Sequence, residues 1–225
     1  MSRKEGAKGV ASTIVKGAVA SIPVVGGLFG EFISKAEQTT LEERRQEWMT
    51  LINARLDRMQ ECIDEFSSND FYVTIAQKTT ALAYQTHNKQ RREQFANMLA
   101  NSFSGIDIDQ DKQLMFIHLL DQLTPLSIML LKHFSENHYQ KSDYVHGNRM
   151  HHVYIVPGTE HFLEYMAKVS PEFEDQQYVG NLIMQLIQNH LITEIDFRVP
   201  ASPEKNQAKH TTSLGDDFLR YIEYK

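Results

Sequence analysis

The histidines near position 150 are the first residues whose type could do chemistry, because imidazole is a common zinc ligand. His146, His151, His152 and His161 lie within one short stretch of the chain. A zinc site needs three or four ligands that converge on one point. His151 and His152 are adjacent, so on a strand they would point to opposite faces. The sequence therefore predicts ordinary surface and boundary histidines, and we expect no zinc site.

Three aspartates at alternate positions suggest a second chemistry, calcium binding. Asp107, Asp109 and Asp111 match the opening of an EF-hand loop. Such a loop needs a glycine at its sixth position and a bidentate glutamate at its twelfth. This chain has Lys112 and His118 at those positions. We expect the aspartates to begin a helix instead, where carboxylates accept hydrogen bonds from free amides.

Other catalytic patterns are incomplete in the sequence. The glycines at positions 26 to 30 lack the lysine and the serine or threonine of a phosphate-binding P-loop. The sequence contains no His-Glu-x-x-His motif, paired-cysteine motif, deaminase signature or serine-nucleophile elbow. It thus indicates no reaction, no cofactor and no small-molecule substrate. A hydrolase whose metal or acid–base cluster forms only on folding stays open as an alternative.

Composition limits the class of protein. The chain has 225 residues, 41% of them hydrophobic, and a formal net charge of −6. These values exclude a disordered chain and a generally basic surface that would attract nucleic acid. The single cysteine, Cys62, lies in a helix-like run and indicates a reducing cytoplasm. We predict an apolar segment at 1–38, a helical domain at 39–122 and a second domain at 123–225.

The first of these segments is rich in glycine. Within residues 9–33, Lys16 and Glu31 leave 14 uncharged residues between them, whereas a membrane-spanning helix needs about 20. Small side chains recur at a spacing of four, which lets two helices approach closely. The sequence leaves three interpretations open: a helix hairpin packed on its own domain, an oligomerisation contact, or a membrane-active segment released by a trigger. The predicted contact residues are Gly9, Thr13, Gly17, Ser21, Gly26, Phe29 and Gly30.

The next region predicts an array of antiparallel helices. Thr40 and Glu43 have the spacing of a capping box, and the apolar residues between positions 41 and 66 form one stripe. A solvated amphipathic helix is the expected structure, and a coiled-coil contact with a partner is the alternative. After a turn at residues 67–70, residues 71–86 and 88–103 predict two further helices.

Residues 92–103, REQFANMLANSF, and 113–134, QLMFIHLLDQLTPLSIMLLKHF, carry a further pattern. It joins a helix with an FANLLANS-like core to a helix with a QLSP..A.IL-like ending. In this pattern the chain resembles the bacterial abortive-infection alpha (Abi-alpha) family, well over residues 88–135 and loosely in the C-terminal third. The matching positions are Phe95, Ala96, Leu99, Ala100, Asn101, Ser102, Leu123, Pro125 and Leu130. The resemblance implies a phage-defence protein of the abortive-infection type, with packing motifs and no known catalytic residue.

The C-terminal third predicts a small winged-helix-like α+β domain. Its ingredients are helices at 124–135, 159–169 and 171–189, a strand at 151–156, two strands that bracket a polar loop near residue 203, and a closing helix at 214–224. The residues of its recognition helix include Glu172, Glu174 and Asp175 but no lysine or arginine. DNA binding normally requires basic and amide side chains there. Protein contact or dimerisation is therefore the preferred role.

Together these features predict a mainly α, non-enzymatic defence protein of the bacterial cytoplasm, with the inner-membrane surface as a further location. Its expected partners are copies of itself or another defence protein. The alternative is a DNA-binding transcriptional regulator that contacts phosphates through Arg198, Lys205 and Lys209.

Overall fold

The computed structural model describes residues 35–59, 69–138, 161–196 and 200–223, and they are mainly helical. This confirms the predicted fold class at the level of mainly α. The helices are α1 Lys35–Met59, α2 Asp70–Gln85, α3 Lys89–Phe103, α4 Gln110–Gln122, α5 Pro125–Phe134, α6 Phe162–Val169, α7 Gln176–Gln188, α8 Pro203–Asn206 and α9 Ser213–Ile222, with a 3₁₀ turn at Pro171–Phe173.

The chain forms two compact units. Unit 1 contains the described residues up to Gln122 and also Arg220 to Glu223, and unit 2 contains the described residues between Leu123 and Leu219. Helix α9 therefore begins in unit 2 and contributes its last residues to unit 1. The sequence predicts this helix wholly within the C-terminal domain at 123–225.

Unit 1 is built on mutual packing of α1, α2 and α3, with α4 against α2 and α3. The centre of the apolar stripe of α1 is buried, since Trp48 is 0% and Ile52 2% exposed. The side chain of Asn69 accepts a hydrogen bond from the amide of Phe71 at 3.0 Å and so caps α2. Asn88 does the same for α3 through the amide of Arg91, also at 3.0 Å. Local capping thus sets where these helices begin.

Unit 2 packs α5 and α6 against α7. Thr124 caps α5 by accepting from the amide of Ser127 at 3.1 Å, and Pro125 stands in the first turn as predicted. Asp175 caps α7 through the amide of Tyr178 at 3.0 Å. This cap divides the single helix predicted at 171–189 into a 3₁₀ turn followed by α7.

The predicted winged-helix domain is not supported. Among the described residues its predicted strands are reduced to isolated bridge positions, such as the antiparallel bridge between Ile192 and Thr211. The amides of His210 and Thr211 donate instead to the carbonyl of Phe134, at 2.9 and 3.2 Å, so they cannot extend a strand ladder. The predicted polar loop contains α8. The strand predicted at 151–156 lies outside the described residues.

The start of α1 also differs from the prediction. The helix begins at Lys35, so Thr40 lies in its interior and is not an N-cap. Residues 35–38, KAEQ, are all good helix formers, which favours continuing the helix toward the N-terminus. The predicted extension to residue 66 falls beyond the described part of α1.

Candidate functional site

The FANMLANSF motif of α3 places two asparagines one helical turn apart. Asn97 and Asn101 are spaced by four residues, so their side chains lie on the same face of the helix. Within unit 1 this face meets the last residues of α9. The final carbonyls of any α-helix have no partner within the helix, so they need donors from elsewhere. The asparagines supply those donors.

Asn97 joins the end of α9 to helix α1. Its Nδ2 donates to the carbonyl of Ile222 at 2.9 Å. Its Oδ1 accepts from the Nε and Nη2 atoms of Arg55, at 3.0 and 2.7 Å. The amide is 9% exposed, and both of its polar atoms are bonded. Because the donor is a guanidinium, the bonds from Arg55 are of the stronger, charge-assisted kind.

Asn101 holds the same helix end at the adjacent carbonyls. Its Nδ2 lies 2.9 Å from the carbonyl oxygen of Tyr221 and 2.8 Å from that of Glu223. Arg220 anchors the other side of this turn, because its Nη2 donates to the carbonyl of Asp107 at 3.0 Å. The Asn101 side chain of α3 and the backbone carbonyl of Asp107 thus both hold one helical turn.

The phenol of Tyr221 completes the arrangement inside the core. Its oxygen lies 2.5 Å from Oγ of Ser102 and 3.3 Å from Oε1 of Gln113. Gln113 in turn donates to the carbonyl of Ile108 at 2.7 Å. Burial raises the pKa of Tyr221 above its ordinary value, although the bond with Ser102 lowers it. Tyr221 therefore stays protonated at neutral pH and acts as a hydrogen-bonding group.

We call Asn97, Asn101, Ser102, Gln113 and Tyr221 the helix-end site. The sequence resemblance named Asn101 and Ser102 as motif positions, but it gave them no role. Asn97, Gln113 and Tyr221 were missed. One available signal was the pair of amides at positions i and i+4 within an otherwise apolar stretch of α3. Their bonding partners were not foreseeable, since Asn97 and Ile222 are 125 residues apart.

A second polar feature of unit 1 is a groove of about 510 Å³ between α1 and α3. Glu47 pairs there with Lys89 at 3.1 Å and with the buried guanidinium of Arg92. The hydrogen bonds from Arg92 and Lys89 hold the pKa of Glu47 below its ordinary value. Arg92 also donates to the carbonyl of Thr86 at 2.8 Å. These charges tie α1 to the start of α3.

Unit 2 contains a cavity of about 630 Å³. Its lining is mixed polar and apolar and includes Phe162, Glu194, Asp196, Lys205, Asn206 and His210. The Nε2 atom of His210 is buried without a hydrogen-bond partner in the described part of the chain. Burial lowers the pKa of His210, and this outweighs its backbone hydrogen bonds at Lys205 and Asn206. The ring of His210 is therefore neutral at pH 7.

Two further histidines lie close to His210 in unit 2. The rings of His133 and His138 stack with centroids 4.2 Å apart, and Nε2 of His133 is 3.5 Å from the hydroxyl of Tyr165. Burial lowers the pKa of His133 to about 4, and the neighbouring His138 and His210 add to the effect. The described residues hold no group of three or more His, Cys, Asp or Glu side chains arranged to bind a metal.

The predicted basic residues of the wing are only partly described. Lys205 is exposed on α8, and Arg198 lies outside the described residues. Lys209 pairs with Asp216 at 2.7 Å. Burial raises the pKa of Asp216, but the hydrogen bonds from Lys209 and Thr211 together lower it by more than burial raises it. The pKa of Asp216 therefore lies below its ordinary value. Lys209 is thus engaged inside unit 2.

Some of the other predicted residues are described by the structure and others are not. The glycine-rich set from Gly9 to Gly30 lies outside the described residues, as do Cys62, His146, His151 and His152. His161 stands at the N-cap of α6. Asp109 accepts from the amides of Asp111 and Lys112, at 2.9 and 3.4 Å, which confirms its predicted role at the start of α4.

No single helix among the described residues is long and apolar enough to cross a membrane. One bent pair of consecutive helices, Gln110–Gln122 with Pro125–Phe134, reaches the required length and composition.

Comparison with known proteins gives one match. The family model described as Abortive infection alpha matches residues 42–221, which include the whole helix-end site. No curated protein and no solved structure matches the chain.

Proposed function

Since the chain belongs to the Abortive infection alpha family, we propose that it is an anti-phage defence protein that acts through protein contacts and not through catalysis. Defence of the abortive-infection type is what the family match supports. The contact mechanism, the partners and the cellular location are our proposal.

The contact mechanism is supported by the hydrogen bonds that the polar side chains of the helix-end site make. Asn97, Asn101 and Ser102 lie in the segment that resembles the family most closely, and their bonds go to the end of α9. Amide donors against helix carbonyls bind and position a helix. Their geometry provides no activated nucleophile, since Tyr221 is protonated and Ser102 bonds to it and to the carbonyl of Met98.

We assign the final step of this defence, which we call its output, to residues 9–33. Infection changes a partner contact in the C-terminal part of the chain, and the glycine-rich segment is freed to oligomerise or to insert into the inner membrane. Small side chains at four-residue spacing support close helix pairing. Arg3, Lys4 and Lys8 would each favour an anionic lipid surface by about 1 kcal/mol. The protein then resides in the cytoplasm and reaches the inner membrane on activation.

The test compares the full chain with a chain that lacks residues 1–33, and with the double variant Gly17→Leu/Gly26→Leu. Phage plating, growth of infected cultures and membrane fractionation are measured together. We expect defence in the full chain and its loss in both variants, because bulky side chains block close approach of the helices. Gly6→Leu, which lies before the apolar segment, is the matched control and should defend normally.

Liposome leakage tests the membrane output separately. Vesicles with anionic lipid are exposed to the full chain purified from infected and uninfected cells and to a peptide of residues 9–33. Leakage by the infected-cell protein or by the peptide supports insertion. Absence of leakage in all three samples, with defence intact in cells, removes the membrane output and leaves oligomerisation.

A further inference from the structure

Helix α7, Gln176–Gln188, contains no charged residue and no histidine in its sequence QQYVGNLIMQLIQ. One side of it is buried, through Val179, Leu182, Ile183 and Leu186. Its solvent side is exposed along the whole length and consists of Gln176, Gln177, Tyr178, Asn181, Met184 and Gln188. We call this solvent side the amide face.

The composition of the amide face is that of an interface. Tyr178 is 44% and Met184 43% exposed, although both residue types are enriched where proteins meet. Charged residues are depleted at interface centres, and here they are absent over 13 residues in a chain that is 23% charged. Such a face on a solvated helix would ordinarily carry lysine or glutamate.

We propose that the amide face pairs with the same face of a second copy of this chain, in an antiparallel, two-fold arrangement. Carboxamide side chains both donate and accept hydrogen bonds, so a surface of glutamine and asparagine is complementary to itself. A two-fold interface requires this property, since the same patch occurs on both sides. Two copies that each carry a net charge of −6 repel one another least where the surface is uncharged.

The flanking charges select the antiparallel direction. Glu172, Glu174 and Asp175 are exposed just before α7. A parallel pair would place these acidic groups side by side. In an antiparallel pair they stand at opposite ends of a helix about 20 Å long. That separation exceeds the screening length of about 8 Å at physiological salt, so the repulsion is largely removed.

The size of the face sets the expected strength. One helix offers fewer contact residues than the roughly 20–30 per side of a standard interface. The dimer should therefore be weak and depend on concentration. It uses no residue of the 1–33 segment, so it can exist whether or not the proposed membrane output is correct.

The test is sedimentation equilibrium of the full chain with substitutions at Asn181, the exposed residue nearest the middle of α7. In a two-fold pair this residue lies close to its own copy. Asn181→Asp and Asn181→Lys should each lower the association constant of the dimer at least tenfold, because like charges then meet across the two-fold axis. An equimolar mixture of the two variants should restore association, because the mixed pair carries opposite charges. Asn53→Asp and Asn53→Lys, on an exposed position of α1, should sediment like the unchanged protein.

Cysteine cross-linking gives a second measurement that does not depend on charge. Asn181→Cys in a Cys62→Ser chain should form a disulfide-linked dimer on mild oxidation, and Asn53→Cys in the same chain should not. A monomeric unchanged chain, dimers that persist in both charged variants, or a mixture that stays monomeric would each overturn the pairing. Phage plating of the same variants reports on the proposed function independently, since full defence by a monomeric variant would show that defence does not need the dimer.

Discussion

The two ends of helix α9 are held by different physical means. At its start, in unit 2, the backbone of Gly215 lies so close to Leu191 that a Cβ atom would stand 2.1 Å from the Leu191 carbonyl oxygen. At its end, in unit 1, the amides of Asn97 and Asn101 reach out to carbonyls at about 2.9 Å. The start thus combines a tight backbone contact with a local cap, since Oγ1 of Thr212 accepts from the amide of Gly215 at 3.1 Å, whereas the end is held by asparagine side chains of another helix. The two ends should fail under different substitutions.

The largest effect is expected at the start of the helix. Gly215→Ala places a methyl group against a backbone carbonyl that cannot move away as a side chain could, and we expect a loss of about 3 kcal/mol or more in the free energy of unfolding. Gly180→Ala is the matched control, because its Cβ would meet only the side chain of Leu163 at an ordinary 3.6 Å. That variant should gain about 0.4–1 kcal/mol. Urea unfolding followed by circular dichroism measures both, and equal stabilities would refute the steric difference.

Substitutions at the end of α9 should destabilise the protein less, and they should do so by removing hydrogen-bond donors. Asn101→Ala leaves the carbonyls of Tyr221 and Glu223 without their donor, and we expect a loss of about 1–2 kcal/mol. Asn101→Asp should cost more, because a carboxylate then faces those carbonyl oxygens. Asn53→Ala, at an exposed position, should change stability by no more than about 0.5 kcal/mol. If the alanine and aspartate variants at position 101 are equally stable, the donors are not what holds the helix end.

Which of these structural features the sequence could predict depends on how far apart in the chain the interacting residues lie. The helices at 70–103 and the roles of Pro125 and Asp109 were predictable, because caps and apolar periodicity are local. The winged-helix prediction was not supported because the amides of the supposed strand donate to Phe134, more than 70 residues away. The helix-end site could not be predicted for the same reason. A single sequence shows that Asn97 and Asn101 are polar, but not which carbonyls they meet.

Acid should destabilise unit 2, which contains His133, and leave the hydrogen bonds of the helix-end site unchanged. Folding lowers the pKa of His133 from 6.5 to about 4, so the unfolded chain binds more protons between these values. The stability contributed by the neutral ring is complete above pH 6.5 and falls as the pH drops toward 4. The amides of the helix-end site do not titrate. Urea unfolding at several pH values should show this loss, and His133→Gln should flatten the dependence. An unchanged slope in that variant would assign the acid sensitivity to other groups.

The smallest effect is expected at the ion pair near the start of α9. Lys209 and Asp216 are about half exposed, and such pairs contribute no more than about 1 kcal/mol. Lys209→Ala should therefore reduce stability slightly, and added salt should remove the difference between the variant and the unchanged chain. A loss that persists at high salt would show that Lys209 contributes through packing and not through its charge.

We infer that the polar residues of the helix-end site position a helix and perform no chemistry. Thermal unfolding and phage plating, measured on the same Asn101→Ala protein, distinguish these two roles. We expect a lower midpoint of unfolding, with defence retained in cells grown well below that midpoint. An unchanged midpoint together with lost defence would contradict it, because Asn101 would then act on something other than the fold.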